Sequence, residues 1–295
     1  MQSLPDAPAS CPDLRRRIPC DASVLCEAAG NETLCGWMVD LPEGHRVTPD
    51  ISDPMDATQN LDAALSMLSK ASLRRMLAAG EEVLTCQRVL RKTSSNVVAE
   101  LLRHQGTFYE WNHFPAGDAI DWETHSQYYY HAHPKGERPG EHGHFHTFLR
   151  YTGMPKGVAP APLVHPQAPN DNRIGAHIIA VSMDKKGYGI KMFTVNRWVT
   201  DETWYAAPDV ARMIDKFEID HTFPSWASNR WLSHMLILFK PQILSLLEQR
   251  DARITTWTAR NPGLDVFEDR ALEVTSECKI DVDKQIKAIQ AALAS

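Results

Sequence analysis

Between Thr124 and Leu149 the chain reads THSQYYYHAHPKGERPGEHGHFHTFL, and this stretch holds six of its thirteen histidines, five of them in two tight clusters. The turn-forming run PKGERPG separates the clusters, which makes Tyr128 to His133 and Glu141 to Leu149 the two arms of a β-hairpin. Side chains on a strand alternate between faces with period two. On the first arm His125, Gln127, Tyr129, His131 and His133 therefore share a face, and on the second His142, His144, His146 and Phe148 do. Pairing 131 opposite 144 and 133 opposite 142, or slipping by two residues, gathers four imidazoles into one block. Adjacent imidazoles on a partly buried face pack poorly and repel if protonated. A metal ion removes that objection, because neutral imidazole nitrogens are good ligands for transition metals.

The rest of the chain is ordinary for a globular protein. Its 295 residues suffice for one large domain or two modest ones, with 43% hydrophobic and 23% charged residues. A net charge of −6 argues against a general nucleic-acid binder, which needs a basic excess. The apolar run Met235 to Phe239 is far too short to span a bilayer, so no membrane partner is expected. The N-terminus lacks the apolar stretch of a secretory signal, so cytoplasmic residence is expected.

Residues 1–54, rich in Pro, Asp, Gly and Cys, read as an irregular extension, and 55–295 as a single α+β metal-binding domain. Cys11, Cys20, Cys26 and Cys35 crowd the extension without the close CxxC pair of a zinc knuckle, so incidental thiols are the plainer reading. Leu61, Leu65, Leu68 and Met76 recur at helical spacing up to Gly80, an expected stop. Val83, Cys86, Leu90, Val97 and Leu101 mark a second helix, giving an αα-hairpin.

Thr107 to Phe114 reads as a strand with Phe108, Glu110, Asn112 and Phe114 on one face, and PAGD as its turn. After the histidine hairpin and a proline-rich loop, Ala176 to Met183, the turn DKKGYG and Ile190 to Trp198 form another hairpin. Pro208 to Phe217 is a short helix, Ser225 an N-cap for a longer one kinked or divided at Pro241, Leu272 to Cys278 an edge strand, and Asp283 to Ala294 a terminal helix. The fold class is α+β: a mostly antiparallel sheet of about five strands carrying the histidine hairpin, flanked by an N-terminal helical hairpin and C-terminal helices.

Candidate metal ligands are His131, His133, His142, His144 and His146, joined by His177 if the face it shares with Ile179, Val181 and Met183 meets the same core. Among nearby carboxylates, Glu137 sits in the turn and reads as solvated. Glu110, in an aromatic strand, would need a partner if buried, so it is the better ligand or ligand-orienting group. Tyr129 faces the imidazoles by parity, whereas Tyr128 and Tyr130 read as core. Tyr129 and Glu110 are the catalytic candidates. Arg173, Arg197 and Arg230 could fork a carboxylate or phosphate but more often pair with acids. His113, His165, His221 and His234 read as structural or surface, and no GxSxG, phosphate loop or HExxH is present.

His131-x-His133-x-x-x-Glu137 superficially resembles the first half of the cupin metal motif. It departs from that pattern in placing the glutamate in a Gly/Pro-rich turn, and the second cupin motif is missing. The stretch from Phe108 to Arg253, through THSQYYYHAHP, GEHGHFHTFLR, NRWVTDETWY and NRWL, resembles an uncharacterised bacterial domain-of-unknown-function family. The resemblance implies that the histidine hairpin is the family's centre and leaves its role open.

The residues themselves point to a metal-dependent enzyme acting on a small molecule. Iron, zinc, manganese or copper would be held by histidines, and the reaction would be oxygen-dependent or hydrolytic. The alternative is a non-enzymatic metal or haem binder for storage, carriage or sensing.

Overall fold

The computed structural model describes residues 61–163 and 175–295, all within one compact unit, Thr48–Ser295. The expectations for residues 1–54 with Cys11, Cys20, Cys26 and Cys35, and for His165 and Arg173, lie outside the described residues.

The N-terminal helical region divides differently from the expected hairpin. A short helix α1 (Leu61–Ser66) precedes one long helix α2 (Lys70–Arg91), which Ser69 caps by accepting from the Ser72 N–H. Gly80 does not stop α2. A Cβ there would lie 2.6 Å from Ile286 Cγ1, so this glycine admits a neighbouring helix rather than ending its own. The break falls after Arg91, and Asn96 then caps α3 (Val97–Leu102) through the Val98 and Ala99 N–H groups.

Six strands follow the helices: β1 (Phe114–Ile120), β2 (Ser126–His131), β3 (Gly143–Leu149), β4 (Ala176–Met183), β5 (Gly189–Val195) and β6 (Val274–Lys279). They form one antiparallel sheet in the order β1-β2-β3-β4-β5-β6. The α+β class holds, with six strands where about five were expected. In place of the expected strand over 107–114 the chain is irregular, with a turn at Glu110 and Trp111, until Phe114 opens β1; PAGD lies inside β1, whose pairing with β2 is irregular between Phe114 and Ala119. Aromatic content and a short period-two alternation suggest the earlier strand, but eight residues of alternation do not fix one.

Between β5 and β6 lie α4 (Arg197–Thr200), α5 (Ala207–Met213), α6 (Trp226–Leu238) and α7 (Lys240–Arg260), and α8 (Val282–Ala294) ends the chain. Ser225 caps α6 as expected, and Pro241, in the first turn of α7, marks the division between the two helices.

One face of the sheet packs on the helices. Tyr128, Tyr130, Phe145, Leu149, Val181, Met183 and Met192 join Trp231, Met235 and Leu246 in the main core. Tyr128 donates to Asn229 Oδ1 and the Phe145 and Trp231 rings stand 5.9 Å apart, fixing α6 across the strands. The opposite face of β2, β3 and β4 is equally buried, and it carries the histidines.

Candidate metal centre

Of the registers that alternation allowed, the hairpin adopts the one that pairs His131 with His144. His131 lies opposite His144 and Tyr129 opposite His146, with Gln127 opposite Phe148, so these side chains share one face. Tyr128, Tyr130 and Phe145 necessarily point the other way, into the apolar core, and that core holds the register: a one-residue slip would exchange the two sets.

The imidazoles of His131, His133 and His144 converge, each offering a nitrogen within 4.8 Å of the others. The Nε2 atoms of His131 and His144 are 2.7 Å apart. His144 Nδ1 lies 2.7 Å from Glu141 Oε1, and His133 Nδ1 lies 3.2 Å from Glu137 Oε2. An ionised carboxylate only accepts, so both histidines carry their proton on Nδ1 and present Nε2 as a lone pair. His131 then donates its Nε2–H to His144, and must move that proton to Nδ1 before a cation can sit between them. A divalent ion held by imidazoles at about 2.0–2.1 Å sets its donor nitrogens roughly 3.4 Å apart. Rotations on the order of an ångström at the ring tips reach that spacing. The donor set fits a transition metal.

A second pair extends the cluster. His146 Nδ1 is 3.0 Å from His177 Nε2, and His146 Nε2 is buried without a hydrogen-bond partner among the described residues. The His146 ring centre stands 4.8 Å from that of His144 and 5.3 Å from that of His131.

All these rings are neutral near pH 7. Burial, with His144 and His133 beside it, drives His131 down to about 2. Burial likewise lowers His144 to about 4 against the raising effect of Glu141, and His177 to about 3 with help from Arg250. His146 falls well below the ordinary histidine value, again through burial first. Burial pushes the Glu141 carboxyl up, but the His144 hydrogen bond and nearby positive charge outweigh it and hold it at about 2. Glu202, which accepts the His177 backbone N–H, is raised by burial to about 8. The centre is therefore a set of unprotonated donors beside an anionic carboxylate.

Of the sequence-chosen residues, the structure brings His131, His133 and His144 together and sets His146 and His177 beside them. His142 departs. It precedes β3 and its Nδ1 meets the Tyr130 hydroxyl at 2.6 Å, on the apolar side of the sheet. Gly143 permits this crossing, since a Cβ there would lie 2.5 Å from that hydroxyl. His177 arrives by a different route from the expected one. Ile179 and Val181 pack in the helix-side core, while a bulge between Thr147 and Phe148 in the β3–β4 pairing switches His177 to the histidine face.

Glu110 is exposed in the turn before Trp111, because the strand expected there does not form. Glu141, three residues before His144 and 5% exposed at its side chain, takes the ligand-orienting position expected of Glu110. Tyr129 stands beside His146, its ring centre 5.0 Å away, and burial raises its phenol, with Asp118 and Glu202 adding to the shift. Arg197 pairs with Glu268 and Asp201, and Arg230 with Glu82.

Two neighbours escaped the sequence reading. His113 stacks on Tyr129 with ring centres 3.6 Å apart, and Trp111 packs on His133 at 4.2 Å. Neither carries a periodic signal, since both lie in irregular chain folded back over the sheet edge.

Residues 77–280 match a family described as a domain of unknown function, DUF6969. No curated protein and no solved structure matches the chain.

Proposed function

We propose that this chain, which belongs to the DUF6969 family, is a metal-dependent enzyme holding a divalent transition-metal ion on His131, His133 and His144. The observation that carries this reading is the convergence of three neutral imidazoles, two of them with Nδ1 bound to a carboxylate so that Nε2 faces the others. Three protein donors leave coordination room for a substrate or water, as catalytic rather than structural sites do. A divalent ion bound there supplies Lewis acidity for an oxygen-dependent or hydrolytic reaction on a small molecule. The chain's own contribution is to keep the donors unprotonated and oriented, with His133 the least buried of the three.

A second reading rests on His146. Its unpartnered Nε2 could supply a fourth nitrogen and close the centre, making it a storage or sensing site. Elemental analysis of protein purified without an affinity tag, followed by X-ray absorption, separates the two. One ion per chain with three imidazoles and a light-atom ligand supports the enzyme. Four imidazoles and no exchangeable ligand support storage. Absence of stoichiometric metal after incubation with iron, zinc, manganese and copper salts removes both readings.

A further inference from the structure

We propose that Trp111 is a specificity-determining residue of this centre and that the site takes a planar aromatic molecule bearing an anionic oxygen, a carboxylate or a phenolate. The inference rests on the metal-centre reading above and deepens it to a substrate class.

Trp111 combines two unfavourable features. Its backbone has φ +68°, a left-handed conformation strained for a bulky residue, and its side chain is 53% exposed. It occupies the third position of a tight turn closed by the Asn112 N–H on the Tyr109 carbonyl (3.3 Å), a place that favours Gly or Asn. The Trp111 N–H donates to the Ala132 carbonyl at 2.9 Å, between His131 and His133, and pins the turn to the end of β2. Phe108 anchors the same turn by stacking on Phe114 with ring centres 5.0 Å apart.

The strained backbone thus holds an indole against the one converging histidine that is not fully buried. The ring centre of Trp111 lies 4.2 Å from that of His133 and 6.2 Å from that of His131. A second exposed ring, His113, stands 6.0 Å from His131 on its stack with Tyr129. An oxygen ligand bound at the centre would have aromatic surface beside it, and flat unsaturated molecules gain most from such surface.

The charge preference follows from Arg138. Its guanidinium lies 5.2 Å from the Phe193 ring centre, and that ring is 5.1 Å from His144. Arg138 pairs with Glu273, and through Phe193 its guanidinium borders the histidine face. A cation kept beside a site for a cation favours an anionic guest.

The test uses full-length protein loaded with cobalt(II), whose visible absorption reports ligands entering the coordination sphere. Benzoate, acetate and benzyl alcohol are titrated against wild type, W111F and W111G. Glycine suits φ +68°, so W111G removes the indole without straining the turn. Wild type is expected to bind benzoate about tenfold more tightly than acetate, with benzyl alcohol weaker than both. W111F should keep most of that preference, and W111G should reduce it to within about twofold while cobalt stoichiometry and acetate affinity stay unchanged.

Equal affinity of wild type for benzoate and acetate overturns the proposal, as does a benzoate preference that survives in W111G. Benzyl alcohol binding as tightly as benzoate overturns the anionic requirement. Loss of cobalt from W111G makes Trp111 a support for His133 and also overturns it. Wild type that takes up no cobalt overturns the metal reading together with this one, whereas cobalt bound without aromatic preference overturns this one alone.

Discussion

Tyr128, Tyr130 and Phe145 on one face of the central hairpin, and Tyr129, His131, His144 and His146 on the other, come from the same two strands and are all 8% exposed or less. They differ in what burial does for them. On the helix side, apolar area leaves water and stabilises the fold by about 25 cal/mol per Å². On the histidine side, imidazoles lose hydration and hydrogen-bond instead to one another, Glu141 and Glu137. An unpartnered buried nitrogen such as His146 Nε2 costs on the order of 1–3 kcal/mol. Equal burial therefore does not mean equal contribution: one face holds the protein together, while the other buries polar rings at some cost in stability.

The largest effect expected from this contrast is on the pH dependence of the metal-free protein. His131, His144 and His177 have folded-state values of about 2, 4 and 3, below the ordinary histidine value of 6.5. Their contribution to stability is complete above about 6.5 and declines as the pH falls below it, because the unfolded chain takes up protons first. Each contributes up to about 1.4 kcal/mol per pH unit. Glu202 works in the opposite sense. Its folded value is raised to about 8 from 4.5, so its contribution is complete below 4.5 and is lost as the pH rises through 8. Three histidines outweigh one glutamate below 6.5, so stability should peak near neutrality and fall steeply towards pH 4. Denaturant midpoints measured across that range check it. A flat profile would mean that the histidine face is wet.

A substitution on each face sharpens the comparison. Phe145→Ala should cost about 3–5 kcal/mol in chemical denaturation while leaving metal per folded molecule unchanged. His131→Ala should cost the metal-free protein under about 2 kcal/mol yet abolish stoichiometric metal binding. If the stability losses come out in the reverse order, the division of labour between the faces is wrong.

The smallest effect concerns the carboxylate behind His144. Glu141→Gln keeps the shape of the side chain but removes the charge that holds the Nδ1 proton, and should weaken metal affinity 10–100-fold in chelator competition. Unchanged affinity would leave Glu141 as a packing residue.

Much of this molecule was legible from residue order because strands impose a period of two. Alternation in YYYHAH and GHFHTFL put His131 and His144 on one face, and the apolar residues between them supplied the reason against a one-residue slip. Ser225, Pro241 and the turn DKKGYG carry their meaning locally, and the structure uses each as read. Where a local signal had two uses, the sequence misled. Gly80 can end a helix or admit one, and only the approach of Ile286 decides.

What tertiary structure alone decided is how the face is completed. His177 joins it through a bulge that no periodicity announces, His142 leaves it by swinging to Tyr130, and Glu110 stays in solvent. Trp111 and His113 reach it from irregular chain whose course depends on contacts with Ala132 and Tyr129. Periodicity is a property of neighbours along the chain, so it can specify which side chains share a face. Bulges and loop returns depend on contacts between segments distant in sequence, and those exist only once the chain has packed.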